Sequence, residues 1–244
     1  MNISNQLKIT LALCLVLCIS GFQSMAKLKV LVFSKTKGYH HMSIAVGVPA
    51  IIKLGAENNF DVDTTTNSDL FTAANLKQYA AVIFLSTTGD VLNDEQQKAF
   101  EGYIHAGGGF VGVHSATDTE YGWPWYGDLV GAYFLSHPAQ QEATFNVVDR
   151  NFIATKNLPA VWKRKDELYN FKYVAKGLHT LITIDETTYT GGTMNNNHPM
   201  SWYHDYDGGR AFYTELGHTD ESYADPLYLG HLLGGIKYAM GLKK

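Results

Sequence analysis

The sequence predicts an α/β fold built on a doubly wound, mostly parallel sheet, with an irregular β-rich second half. Three observations lead there. Val30-Leu31-Val32-Phe33, Ala81-Val82-Ile83-Phe84-Leu85 and Phe110-Val111-Gly112-Val113 are apolar without alternation, as strands covered on both faces must be. Helix-length segments separate them, and strand–helix–strand units of that spacing close by right-handed crossovers. Past residue 140, strand-like runs follow one another without that regular alternation.

Residues 27–33 form the first strand and residues 34–41 a loop, with Ser43 placed to cap a helix reaching about Asn59. Residues 60–64 alternate as an outer strand, and 69–78 read as a short helix. After the strand at 81–85 and a Thr-Thr-Gly-Asp turn, Asn93 or Asp94 caps a helix to His105 that Gly107 ends. The strand at 110–113 completes a flavodoxin-like first half. Strands are expected at 142–148, 168–173, 180–184 and 211–215, and a closing helix at 226–240.

Residues 1–26 read as a secretory leader. Lys8 gives the positive start, residues 9–19 the apolar stretch, and Ser24-Met25-Ala26 a cleavage site after Ala26. A lipoprotein reading at Cys18 is weaker, because Leu17 stands where a small residue is wanted. The expectation is an exported protein, periplasmic or extracellular, with residues 27–244 as a single domain and no later membrane span. Both cysteines, Cys14 and Cys18, fall in the leader, so the mature chain would have no disulfide, no thiolate ligand and no cysteine nucleophile. With 19 basic and 23 acidic residues and no basic cluster, nucleic acid is not an expected partner. Aromatic residues make up 13% of the chain, enough to supply flat platforms for a small-molecule carbohydrate.

Chemistry is sought beyond the carboxyl ends of the strands, where open α/β sheets bind ligands. Gly38-Tyr39-His40-His41 follows the first strand, His114 with Asp118 follows the fourth, and Gly217-His218 follows the strand at 211–215. If these strands are parallel neighbours, His40 or His41, His114 and His218 share one rim. Imidazoles there suit acid/base work or metal ligation. His105, His179 and His231 are read as surface positions. A second group comprises His137, Glu167, Trp123, Trp125, Tyr126, Trp202, the polar loop 195–199 and Arg210, which could instead pair with an acidic neighbour. No His-Glu-x-x-His helix is present and no cofactor is specified, yet scattered histidines with a carboxylate leave a divalent metal open. Asp118 with Glu167 could also form a hydrolytic carboxylate pair.

These motifs, together with Gly107 to His114, Gly131 to Pro138, Asp166-Glu167-Leu168-Tyr169, Pro199 to Trp202 and Gly208 to His218, resemble the ThuA-like (trehalose utilisation) family. The resemblance runs from Lys29 to about Gly241 and implies a fold similar to class I glutamine amidotransferases. Those enzymes carry a cysteine in a Gly-x-Cys-x-Gly turn, where this chain has Gly112-Val113-His114-Ser115-Ala116. Glutamine hydrolysis by a thiol is therefore not implied, and Ser115 is out of register to replace it. One departure is Arg150-Asn151-Phe152-Ile153, which lacks an expected His-Pro pair.

The resemblance implies handling of a glycoside, disaccharide or keto-sugar, because related proteins look like partners of sugar oxidoreductases that make 3-keto glycosides. We expect a lyase, isomerase or hydrolase in which His114 is the central acid/base, assisted by His41 or His40 and by His218. Glu167 and Asp118 would orient them or bind hydroxyls. Tyr39, His40, Trp123, Trp125, His137, Trp202 and Arg210 would contact the sugar. The alternatives are a non-catalytic carbohydrate-binding protein and a metal-dependent hydrolase.

Overall fold

The computed structural model describes residues 27–242, so the expected leader, the expected cleavage after Ala26 and both cysteines lie outside the described residues. The first half runs β1 (Leu28–Phe33), α1 (Ile44–Glu57), β2 (Phe60–Thr65), α2 (Ala73–Leu76), β3 (Ala81–Leu85), α3 (Asp94–His105) and β4 (Gly109–Val113). It continues through α4 (Pro124–Val130), β5 (Ala132–Ser136), β6 (Gln141–Val147), β7 (Val161–Asp166) and β8 (Asn170–Val174). The chain closes with β9 (His179–Ile184), β10 (Pro199–Tyr206), β11 (Gly209–Thr214) and α5 (Pro226–Ala239).

One sheet has the order β2-β1-β3-β4-β11-β10-β9-β6-β7, while β5 and β8 pair separately. Pairings from β2 to β11 are parallel. Those from β11 to β7 are antiparallel. The parallel strands alternate between two cores, which explains their unbroken apolarity. Val30, Val32, Ile83 and Val111 pack with Ile51 and Leu54 of α1 and Leu232 and Ile236 of α5. Leu31, Phe33, Phe84 and Phe110 pack with Phe100 and Ile104 of α3 and Tyr126 and Leu129 of α4. Gly109 opens β4 where the end of α5 crosses it, so close that only a hydrogen fits.

The antiparallel half curls back. Trp162 of β7 belongs to the same core as α5, and Asp166 at the end of β7 accepts the backbone N–H groups of Gly217 and His218. A strand remote from β11 in sheet order thereby reaches the loop that follows β11.

Local chemistry fixes the differences from expectation. The helix anticipated over 69–78 splits into a 3-10 turn (Ser68–Leu70) and the single turn α2. Asn67 and Thr72 each cap their own segment, through Asp69 N–H and Asn75 N–H. Helix α4 and strands β5, β7 and β10 were not anticipated. His231, read as a surface residue, is buried, with Nδ1 against the Ala154 carbonyl and Nε2 beside the Ser201 hydroxyl. Ser43 precedes α1 as foreseen, but its hydroxyl donates to the Gly217 carbonyl at 3.1 Å and does not cap the helix. That bond ties the loop after β1 to the loop after β11.

Asn93 caps α3 in a reciprocal box, accepting from Gln96 N–H while the Gln96 side chain accepts from Asn93 N–H. Asn93→Ala is expected to cost about 1 kcal/mol. A thermal midpoint lowered by roughly 2–4 °C checks it; an unchanged midpoint contradicts it.

Candidate functional site

The site starts at a sharp turn. Strand β4 ends at Val113, and His114 takes a left-handed backbone conformation (φ +51°) as the first residue of a 3-10 turn, His114–Asp118. A non-glycine residue held there costs on the order of 1–3 kcal/mol, so the surroundings must enforce it. Tyr213 Oη–H does so by donating to the His114 carbonyl at 2.8 Å. The imidazole is fully buried, with the Tyr169 ring 4.5 Å away. Its Nδ1 meets the Glu215 carbonyl at 2.8 Å. A carbonyl only accepts, so Nδ1 carries the hydrogen and the Nε2 lone pair faces inward.

Three further side chains arrive from other loops. His218 Nδ1 lies 3.0 Å from His114 Nε2 and 3.0 Å from Glu167 Oε2. Glu167 Oε2 is 3.3 Å from His114 Nε2, and Glu167 Oε1 is 3.3 Å from His137 Nδ1. His41 is buried, its Nδ1 3.2 Å from the Ser115 hydroxyl, its ring 4.7 Å from that of His114. One donor atom each from His41, His114, Glu167 and His218 lies within 4.8 Å of all the others, a grouping able to hold a metal ion.

Asp166 sets two of these loops. Its Oδ1 accepts from the N–H of Glu167 and of His218, and its Oδ2 accepts from Gly217 N–H and the Arg164 guanidinium. The electrostatics follow from burial and from mutual contact. Burial holds His41 down to about 3, aided by the neighbouring His114 and His218. Burial opposes ionisation of Glu167, but its contacts with the His114 and His218 imidazoles outweigh it and hold the carboxyl well below its usual range. His218 is raised: burial works against its charge, and the bond to Glu167 wins. Burial raises Asp118, although Tyr121 Oη–H donates to its Oδ1 at 2.6 Å.

A cavity of about 360 Å³ opens in front of the cluster. His41, Glu167 and His218 face it from one side, and Tyr39, Asp118 and His137 also line it. Phe134, Gln140 and Tyr169 complete the wall. A slightly larger hollow beside β8, lined by Lys172 and Asn197, holds no comparable group of titratable side chains.

Seven of the residues singled out from sequence thus meet at one place: Tyr39, His41, His114, Asp118, His137, Glu167 and His218. Others do not. His40 is exposed and bonds Thr36. Trp123 and Trp125 stack on each other and bond Glu101 and Asp207, packing beside Phe100. Trp202 is wholly buried, donating to the Val130 carbonyl and stacked on Tyr213. Arg210 stands at the opposite, amino-terminal end of β11, where it donates to the Ala239 and Gly107 carbonyls and not to an acidic neighbour. His198, from the polar loop, is buried between the Tyr169 carbonyl and Glu186.

Phe134, Gln140, Tyr169, Asp166 and Glu215 were not foreseen as site residues. Glu215 did leave a signal, a carboxyl ending an apolar strand. It is fully buried, burial raises its carboxyl far above the usual range, and its Oε1 accepts from Tyr169 N–H.

No curated protein matches the sequence. Among solved structures, a ThuA-like protein from Bacteroides uniformis ATCC 8492 superposes with a TM-score of 0.74 at 22% identity, over 89% of this chain and 93% of that one. A ThuA-like protein from Parabacteroides merdae ATCC 43184 gives 0.74 at 23% identity, over 89% and 91%. A β-galactosidase from Bacillus circulans sp. alkalophilus is similar at 0.59 and 14% identity, over 88% of this chain but 31% of that enzyme. The family model for ThuA, trehalose utilisation, matches residues 29–239, nearly the whole span of the sheet and the helices described above. By that match, the chain belongs to the ThuA family.

Proposed function

We propose that this ThuA-family protein is an exported enzyme acting on a carbohydrate, with a glycoside or keto-sugar seated in the cavity before His41, Glu167 and His218. The convergence of three imidazoles and a carboxylate from four loops carries this reading. Such groups are costly to desolvate, and they collect where chemistry uses them. Tyr39, Phe134 and Tyr169 offer apolar faces to a sugar ring, and Asp118, His137 and Gln140 offer partners for hydroxyls. The family description, trehalose utilisation, points to the same substrate class. The order β2-β1-β3-β4-β11 supports the flavodoxin-like, glutamine amidotransferase-like reading of the fold, with His114 at the elbow.

The division of labour differs from the one the sequence suggests. His114 is buried with both ring nitrogens engaged, so it holds the centre and is poorly placed to carry protons. Asp118 suits that task better, being raised by burial and placed on the cavity wall. The cluster's side chains then position the sugar while Asp118 exchanges a proton beside it, as isomerisation or elimination next to a carbonyl requires.

The test is product formation from a panel of disaccharides and their 3-keto forms. Turnover is expected, and Asp118→Asn should lower kcat by about 100-fold or more at little changed KM and thermal midpoint. Sugar-dependent thermal shifts without any product would reduce the protein to a carbohydrate-binding one. An unchanged kcat would remove Asp118 from the proton path.

A further inference from the structure

We infer that His41, His114, Glu167 and His218 hold one divalent transition-metal ion of the zinc class, open to the cavity on one side. Three observations carry this. The spacing is that of ligands around an ion: the donor pairs measured lie 3.0, 3.0 and 3.3 Å apart. Tetrahedral bonds of about 2.0–2.1 Å place neighbouring donors roughly 3.3–3.4 Å apart, so an ion enters with small outward shifts.

The orientation is also that of ligands. A metal-binding imidazole uses one nitrogen for the ion and gives the other a fixed hydrogen-bond partner. His114 Nδ1 is held by the Glu215 carbonyl and His41 Nδ1 by the Ser115 hydroxyl, which leaves Nε2 as the donor in both rings. Glu167 keeps Oε2 for the cluster while Oε1 meets His137. Asp166 fixes the backbone of both remaining ligands.

The access, finally, is that of a catalytic ion. His114 closes the back of the cluster, whereas His41, Glu167 and His218 line the cavity. A substrate oxygen can therefore complete the coordination. Three nitrogens, one carboxylate oxygen and no thiolate favour zinc, cobalt, nickel or iron over magnesium or calcium. This assignment stands whether or not the substrate is a sugar.

The experiment strips the full-length protein with a chelator, then titrates zinc by calorimetry, with metal content by elemental analysis and cobalt(II) as a visible probe. One ion per chain is expected, with cobalt d–d bands typical of low-coordinate nitrogen and oxygen ligation. His41→Ala and His218→Ala should each weaken binding by about 100-fold or more, whereas His40→Ala, next in sequence but outside the cluster, should leave it unchanged. The wild-type cobalt spectrum decides the matter even if a ligand variant fails to fold. Substoichiometric uptake of zinc, cobalt, nickel and iron overturns the inference, as does binding that His41→Ala and His218→Ala leave intact. A bound ion with no turnover counts only against the enzymatic reading. Turnover that survives complete metal removal counts only against the ion's catalytic placement.

Discussion

Gly109→Val is expected to destabilise the protein by about 3 kcal/mol or more, the upper end of what overpacking costs. A Cβ at this position would lie 2.1 Å from the Ala239 carbonyl oxygen and 2.6 Å from its carbon, with the Ala80 oxygen at 3.0 Å. All three are main-chain atoms, so no side chain can rotate away. The end of α5 would have to withdraw from β4, loosening the contacts of Leu232 and Ile236 with the sheet. Gly102 on α3 is the control: nothing lies within 4 Å of its would-be Cβ. Gly102→Ala should be neutral or stabilising by up to about 1 kcal/mol, from helix propensity alone. Urea unfolding of both variants gives the comparison, and a Gly109→Val protein within 1 kcal/mol of wild type would mean that α5 packs less tightly than described.

Asp166→Ala should be as damaging, at about 3–5 kcal/mol, because it removes the nearest carboxylate from a buried guanidinium. The Arg164 Nη2 to Asp166 Oδ2 distance is 2.9 Å, and the next carboxylate, that of Asp225, lies 3.6 Å from Nη1. The same substitution strips the acceptor from the N–H groups of Glu167, Gly217 and His218. Loss of stability is one readout and zinc affinity of the folded fraction is the other, expected to fall by about 10–100-fold. A variant as stable as wild type with undiminished affinity would show that the two loops hold their positions without Asp166.

The parallel half was legible because burial on both faces leaves no ambiguity in runs such as Ala81 to Leu85 and Phe110 to Val113. The unforeseen strands hid for opposite reasons. In β10, Ser201 and His204 are polar yet buried, satisfied by the Tyr213 and Leu129 carbonyls, which breaks the apolar pattern. Strand β7 ends the sheet and carries Lys163 and Lys165, charges an exposed edge tolerates, on either side of the inward-paired Arg164. Helix α4 did carry signals, Pro124 in its first turn and Gly131 at φ +90° after its end, but seven residues are too few for a period to emerge.

The site divides in the same way. His41, His114 and His218 follow β1, β4 and β11, whose parallel pairing turns three distant histidines into neighbours on one rim. Glu167 joins them only because the antiparallel half curls back, and no local pattern announces that curl. The tryptophans misled because flatness suits a core as well as a sugar. Trp123, Trp125 and Trp202 find protein partners, and the aromatic walls of the cavity come from Tyr39, Phe134 and Tyr169.

Each half of the chain supplies two of the four clustered groups, and the His114–His218 contact at 3.0 Å joins positions 104 residues apart. A ligand gripping all four would act as a clasp between the halves, present only once the second has folded over the first. Its binding energy would add to that of folding, so the melting temperature should climb with free ligand concentration. The cluster would then double as a seal on the finished molecule.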